Sequence, residues 1–148
     1  MGTLYLLDTN ILVHFVRDSA VWRRIQTKYS LLTRDPSPVI SVVSIGELKS
    51  LANRHKWGTR RLRQVDYILS HLKAITIDDE PIFDAYADIE THTRRNGRPM
   101  GKNDLWIAAT AQVYDATILT TDRDFDHLAP AFVQVDWFNP TLPPGGTP

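Results

Sequence analysis

Residues 3–13 read TLYLLDTNILV. The first five are strand-compatible, and LYLL is apolar at successive positions, so a strand here is one covered on both faces. Asp8 closes the run, and a helix-compatible pattern begins at once. A strand of this kind passing directly into a helix predicts the opening of a parallel α/β sheet.

Working outward, four more β-rich runs recur at intervals: VISVV at 39–43, AITI at 74–77, TILT at 117–120 and a weaker FVQV at 132–135. Helix-period segments lie between them. Trp22, Ile25 and Tyr29 repeat at i, i+3, i+7, and Ile82, Tyr86 and Ile89 at i, i+4, i+7; Ile45, Leu48 and Ala52 form a third set, Leu62, Val65 and Leu69 a fourth. In GKNDLWIAATA, residues 101–111, Leu105, Ala108, Ala109 and Ala111 are candidates for burial. Strands alternating with helices of this length predict right-handed crossovers and parallel pairing. Pro36 and Pro38 precede the second strand, and Gly97 and Pro99 end the Ile82 helix. Residues 1–138 read as a single domain, and NPTLPPGGTP, 139–148, as a tail without helical or strand period.

The chain of 148 residues is long enough for one core, and its 43% hydrophobic and 23% charged fractions are those of a soluble globular domain. No apolar run reaches the ~18 residues of a membrane helix. The N-terminus has no basic region ahead of its short apolar run, so no signal peptide is read and the cytoplasm is the expected compartment. The absence of cysteine removes disulfides, thiolate metal sites and thiol nucleophiles together. Seventeen basic residues balance seventeen acidic ones. The charge is unevenly placed, with RHKWGTRRLR at 54–63 and RRNGR at 94–98 set against DDE at 78–80 and DRDFD at 122–126. Such separation suits a polyanion held by basic patches beside an acidic centre, and equally suits solvated helix faces.

Four acids mark the ends of strands or the starts of helices. Asp8 follows the first strand; Glu47 follows the second, where Ser44-x-x-Glu47 fits a capping box; Asp104 opens the helix at 101–111; Asp122 follows the fourth strand. Each alone is explained as a cap or as an acid favoured by the helix dipole. Together they fall on one edge of a parallel sheet, the edge where such sheets place ligands. Two unit charges ~4 Å apart repel by about 4 kcal/mol at an effective dielectric near 20. Four converging carboxylates therefore call for protons or a cation, and oxygen donors in that number are the ligands of Mg²⁺ or Mn²⁺. Asp78 and Asp79, with Pro81 following, read instead as an N-cap and an acidic first turn.

Four segments in order, LLDTNILV, SVVSIGEL, GKNDLWIAATA and LTTDRDF, resemble the acidic motifs of PIN-domain ribonucleases, most closely the VapC-type toxins of type II toxin–antitoxin pairs. The resemblance runs from residue 3 to about residue 135. It implies a three-layer α/β/α sandwich with a central parallel sheet, and cleavage of single-stranded or loop RNA with one or two Mg²⁺ or Mn²⁺ ions, leaving 5′-phosphate and 3′-hydroxyl ends. Carried over by position, Asp8, Glu47, Asp104 and Asp122 match the family's catalytic, metal-binding quartet. Asn10 matches its supporting asparagine, and Thr121 its hydroxyl residue before the last acid, with Thr120 competing for that role. Asp124 and Asp126 rival Asp122 as fourth acid, and ELKSLAN lacks the glycine the family often places after Glu-Leu. The toxin reading further implies a homodimer and a protein antitoxin whose tail lies in the acidic groove, docked near residues 45–70, with no membrane association.

An ion of this kind activates water near neutral pH and takes up charge on the attacked phosphate. Arg54, Lys56, Arg60, Arg61, Lys102 and Arg123 are candidate substrate contacts, and Trp57 is either a base-stacking platform or an interhelical core residue. The histidines His14, His55, His71, His92 and His127 show no ligand spacing and read as surface or packing residues. Competing classes are a PIN nuclease that processes RNA without an antitoxin, a non-catalytic RNA-binding domain with a vestigial site, and a phosphoacceptor receiver domain. The last wants paired acids after the first strand, where DTN supplies one.

Overall fold

The computed structural model describes residues 2–141. Five parallel strands, β1 (Tyr5–Leu7), β2 (Val39–Ser41), β3 (Lys73–Ile75), β4 (Thr117–Thr120) and β5 (Gln134–Trp137), form a sheet in the order β3-β2-β1-β4-β5. Among the described residues six α-helices connect them: α1 (Thr9–Val16), α2 (Ala20–Tyr29), α3 (Val42–Arg54), α4 (Thr59–His71), α5 (Glu80–Arg95) and α6 (Lys102–Tyr114).

The two-faced apolarity of LYLL is what makes three layers. Tyr5 and Leu7 join a core with Ile11 and Phe15 of α1, Trp22 and Ile25 of α2, Leu48 of α3 and Val65 of α4. Leu6, between them, joins a second core with Ile89 of α5 and Leu105, Ala108 and Ala111 of α6. Leu119 and Ile118 of β4 divide between the same two cores. Period-two alternation with both sides buried is the signature of a sheet sandwiched by helices. Helix α6 is buried on two sides, and its Ala109 packs against Ile82 and Ala85 of α5. Its alanines let the two helices approach closely, and Gly97, at φ 67, makes the turn between them.

Several expected boundaries moved. VISVV is not strand throughout: Ser41 Oγ accepts the Val43 N–H at 3.1 Å and caps α3, so the helix begins at Val42 within the β-branched run. The capping box read at Ser44 and Glu47 therefore does not form at a helix start; both lie inside α3. FVQV slides toward its C-terminus, with Gln134 opposite Thr117 in β5 and Val133 buried in the second core. AITI contributes only its first two residues to β3, preceded by Lys73. Trp57 is 6% exposed and sits in the first core, so it is not a base-stacking platform. Among the described residues no helix is long and apolar enough to cross a membrane. Of the tail expected at 139–148, residues 142–148 lie outside the described residues.

Candidate active site

The chain lays β2 and β3 on one side of β1, then β4 and β5 on the other, so the order reverses between β1 and β4. Open parallel sheets hold ligands at the carboxyl ends of strands at such a reversal. Here the Asp8 N–H donates to Leu119 O at 3.0 Å, joining the two strand ends. A cleft of about 850 Å³ opens above them, lined by Asp8, Asn10, Glu47, Asp104, Asp122 and Asp124 among others. All four acids of the expected quartet thus reach one cleft, and of the two rivals for the fourth place Asp124 lines it while Asp126 does not. Asp126 is instead paired with Arg123, Nη1 to Oδ2 at 2.9 Å.

Asp8 is the best-held acid. It caps α1, accepting the Thr9 N–H at Oδ1 (2.8 Å), and its Oδ2 accepts from Thr120 Oγ1 (2.8 Å) and Asn10 Nδ2 (3.2 Å). The same Asn10 amide reaches Asp122 Oδ2 at 3.1 Å, while its Oδ1 accepts the Thr121 N–H at 3.2 Å. Asn10 therefore clips the ends of β1 and β4 together. The hydroxyl in this network is that of Thr120, which is fully buried and also accepts from the Asp122 N–H at 3.2 Å. Thr121 contributes its backbone: the N–H to Asn10, and its carbonyl to Trp137 Nε1 at 3.2 Å.

Glu47 is oriented from across the cleft. Thr9 Oγ1 donates to Glu47 Oε1 at 2.7 Å and lies 2.9 Å from the buried Ser44 Oγ. Neither Thr9 nor Ser44 was singled out for this role, because a contact between residues 35 and 38 positions apart leaves no local pattern. The one available signal was the position of Thr9 between Asp8 and Asn10. Asp104 stands in the first turn of α6, whose N-cap is Gly101. It is thus not the cap.

Charge crowds this cleft. The Asp8 carboxyl is pushed up to about 7, first by burial and then by Asp122 and Asp104, against the lowering effect of its Thr120 and Thr9 hydrogen bonds. Asp104 is pushed up to about 6, by burial and then by Asp122, Asp124 and Glu47. Asp124 is raised as well, by burial and Asp122. Donors that favour the charged form are present, yet repulsion and desolvation prevail. A cation seated among these acids removes the conflict.

The donor set, carboxylate oxygens with an amide and hydroxyls, is that of a hard divalent ion and excludes a zinc-type nitrogen–sulfur centre. Among the described residues no three His, Asp or Glu side chains are already drawn together around one point.

The candidate substrate contacts separate. Arg54 lines the acid cleft, and so do His14 and Arg17, two basic side chains outside the expected substrate contacts. Arg60 and Arg61 line another cavity, with Arg17 and Asp18. Lys102 lies beside Glu90 and Arg94, and Arg123 beside Asp104 and Asp124. Lys56 is exposed with a positive φ of 51. Trp106 lines the cleft with Tyr86 packed behind it, the rings tilted by 32° at 4.1 Å between centres, an aromatic wall that the alanine-rich pattern of α6 obscured.

Residues 5–130 match the PIN domain family. Ribonuclease VapC2 of Rickettsia felis is 28% identical over 138 residues, covering 90% of this chain and 98% of that protein. Ribonuclease VapC1 of Haemophilus influenzae is 26% identical over 135 residues, with the same coverage. In three dimensions the chain is similar to the crystal structure of VapBC2 from Rickettsia felis bound to a DNA fragment from their promoter. The TM-score is 0.78 at 23% identity, covering 93% of this chain and all of that one.

Proposed function

Because the chain belongs to the PIN-domain family, we propose that it is a metal-dependent endoribonuclease that hydrolyses RNA phosphodiester bonds, acting as the toxin of a toxin–antitoxin pair. The observation that carries the chemistry is the meeting of Asp8, Glu47, Asp104 and Asp122 in one cleft at the point of strand reversal. The named relatives, ribonucleases of nearly the same length, support RNA as the substrate.

In this reading Asp8, Glu47, Asp104 and Asp122 hold one or two Mg²⁺ or Mn²⁺ ions. When bound, such an ion activates water for attack and offsets charge on the phosphate. The protein's own part is positioning. Asn10 and Thr120 keep Asp8 and Asp122 side by side, and Thr9 turns Glu47 toward them. Arg54, in the cleft wall, contacts the strand, and Lys56, Arg60 and Arg61 extend a basic track along α3 and α4. Arg123 contacts it beside Asp104 and Asp124, and Lys102, in the neighbouring cavity with Glu90 and Arg94, contacts it further along. Trp106, backed by Tyr86, stacks on a base.

The partnership is supported by the likeness to VapBC structures. An antitoxin segment lies in the cleft with an Arg or Lys paired to the acids, over the exposed side of α3 and α4, where Leu62 and Tyr67 are each 44% exposed. The protein acts as a homodimer in the cytoplasm.

The test is cleavage of a mixed RNA pool by purified, antitoxin-free protein in Mg²⁺ or Mn²⁺, with excess EDTA and an Asp104→Asn variant in parallel. Cleavage abolished by both, with the variant folded, is the expected result. Equal cleavage by the variant removes Asp104 from the site, and no cleavage by any preparation overturns the nuclease reading.

A further inference from the structure

A second cavity, of about 380 Å³, opens at the turn between α5 and α6, lined by Arg98, Gly101, Asp104, Arg123, Asp124 and His127. It shares Asp104 and Asp124 with the acid cleft, so the two adjoin. Of its basic groups, Arg98 stands near acids with which it is not paired. Arg98 is exposed and makes no ion pair among the described residues, although two carboxylates line the same cavity. Its backbone is fixed, with the N–H donating to Thr93 O at 2.8 Å directly after Gly97. Arg123 is held from two sides, by Asp126 at 2.9 Å and by the Trp137 ring, whose centre is 3.5 Å from its guanidinium carbon. His127 lines the cavity too, and its Nε2 is buried without a hydrogen-bond partner. Helix α6 starts at the cavity wall on Gly101, which offers no side-chain cap to the first-turn N–H groups.

We propose that this cavity is a phosphate subsite, in which Arg98, flanked by Arg123 and His127, receives a phosphodiester group of the RNA strand next to the one in the acid cleft. The proposal rests on the nuclease reading above. An acidic cleft repels the strand it has to cut, and bound cations offset that repulsion only locally. A guanidinium free of internal carboxylates, one step along the groove, supplies attraction where the ions do not reach and fixes the register of the strand. Arginine suits the task, since its planar fork engages two phosphate oxygens at once. Because the contact is to the backbone, it contributes affinity and register without base preference.

The test is fluorescence anisotropy with a short labelled single-stranded RNA in EDTA, titrated at several salt concentrations. The proteins are the parent, Arg98→Ala, Arg98→Lys and, as a matched control, Arg95→Ala, an exposed arginine of the same run that does not line the cavity. EDTA prevents cutting and leaves the acid repulsion equal in all four. Arg98→Ala is expected to bind about tenfold more weakly whatever the RNA sequence. Its salt dependence is expected to be shallower by about 0.7 in log–log slope, one phosphate contact on a single strand. Arg98→Lys keeps the parental slope and loses part of the affinity, while Arg95→Ala matches the parent in both. Parental affinity and slope in Arg98→Ala overturn the subsite, as does an equal loss in Arg95→Ala, which denotes a diffuse basic surface. If the parent cleaves RNA in Mg²⁺ while Arg98→Ala binds normally, only the subsite falls. If the parent neither binds nor cleaves RNA, both readings fall.

Discussion

The two walls of the acid cleft hold their carboxylates by opposite means. On the sheet side, Asp8 accepts three hydrogen bonds and shares the Asn10 amide with Asp122. On the helix side, Asp104 stands in the first turn of α6, where Gly101 rather than an acid is the cap. Both carboxyls are pushed well above the ordinary range. The sheet wall is a rigid frame in which few lone pairs remain uncommitted. The helix wall keeps an acid available to a ligand. In the proposed enzyme the frame sets geometry, and Asp104 completes the ion's surroundings.

The contrast breaks most visibly at Asp104. Asp104→Asn is expected to lower metal-dependent cleavage by about a hundredfold or more, since changing even a group behind a metal ligand costs 10–100-fold. Its melting temperature should not fall, because burial and neighbouring acids make the Asp104 charge unfavourable in the fold. Calorimetry beside the cleavage assay decides this, and a destabilised variant would place Asp104 in the frame. On the sheet wall the order should reverse. Thr120→Val removes a buried hydroxyl bonded to Asp8, Asn10 and the Asp122 N–H. A loss of roughly 1–3 kcal/mol in urea unfolding is expected.

Asp8 sharpens the comparison through pH. Its folded pKa, about 7, lies above the unfolded value near 3.8, so the folded state binds the extra proton. The metal-free parent is therefore favoured by this group below about pH 4 and loses that advantage as pH rises through about 7. Asp8→Asn lacks the ionisation, so its stability relative to the parent should rise across that window and level off above it. Added Mg²⁺ should shrink the trend in the parent alone. A flat difference between the two proteins would show that the Asp8 charge is already compensated within the chain. The smallest effect is expected of Thr121→Ala, at less than about 0.5 kcal/mol, because Thr121 serves through its backbone.

How much of this was legible depended on range along the chain. LYLL and TILT carried their strands, and the acids at their ends carried the cleft, because strand direction and strand exit are local facts that a parallel sheet turns into a common edge. Ser41 shows where local reading failed: one hydroxyl bonding two residues ahead converted Val42 and Val43 from strand to helix. Thr120 and Thr121 are adjacent, and only the pleat, which sends one side chain into the network and leaves the other half-exposed, separates them. Thr9 reaching Glu47, and Arg98 meeting His127, are tertiary juxtapositions with no sequence period to announce them. Trp57 could be base platform or core from its neighbours in sequence; its burial is a property of the packed helices.

The pairing of β1 with β4 has a consequence for the order of events during synthesis. Tyr5 lies opposite Thr117, and the Asn10 amide meets an acid 112 positions later. A chain emerging from its N-terminus can build β1, β2 and β3 with the helices that cover them, yet it has no partner for the free edge of β1 until β4 appears. The acid cleft is thus completed late, when β4 closes onto β1 across more than a hundred positions. A chain that stops before β4 has neither Asp122 nor the Thr120 hydroxyl that holds Asp8.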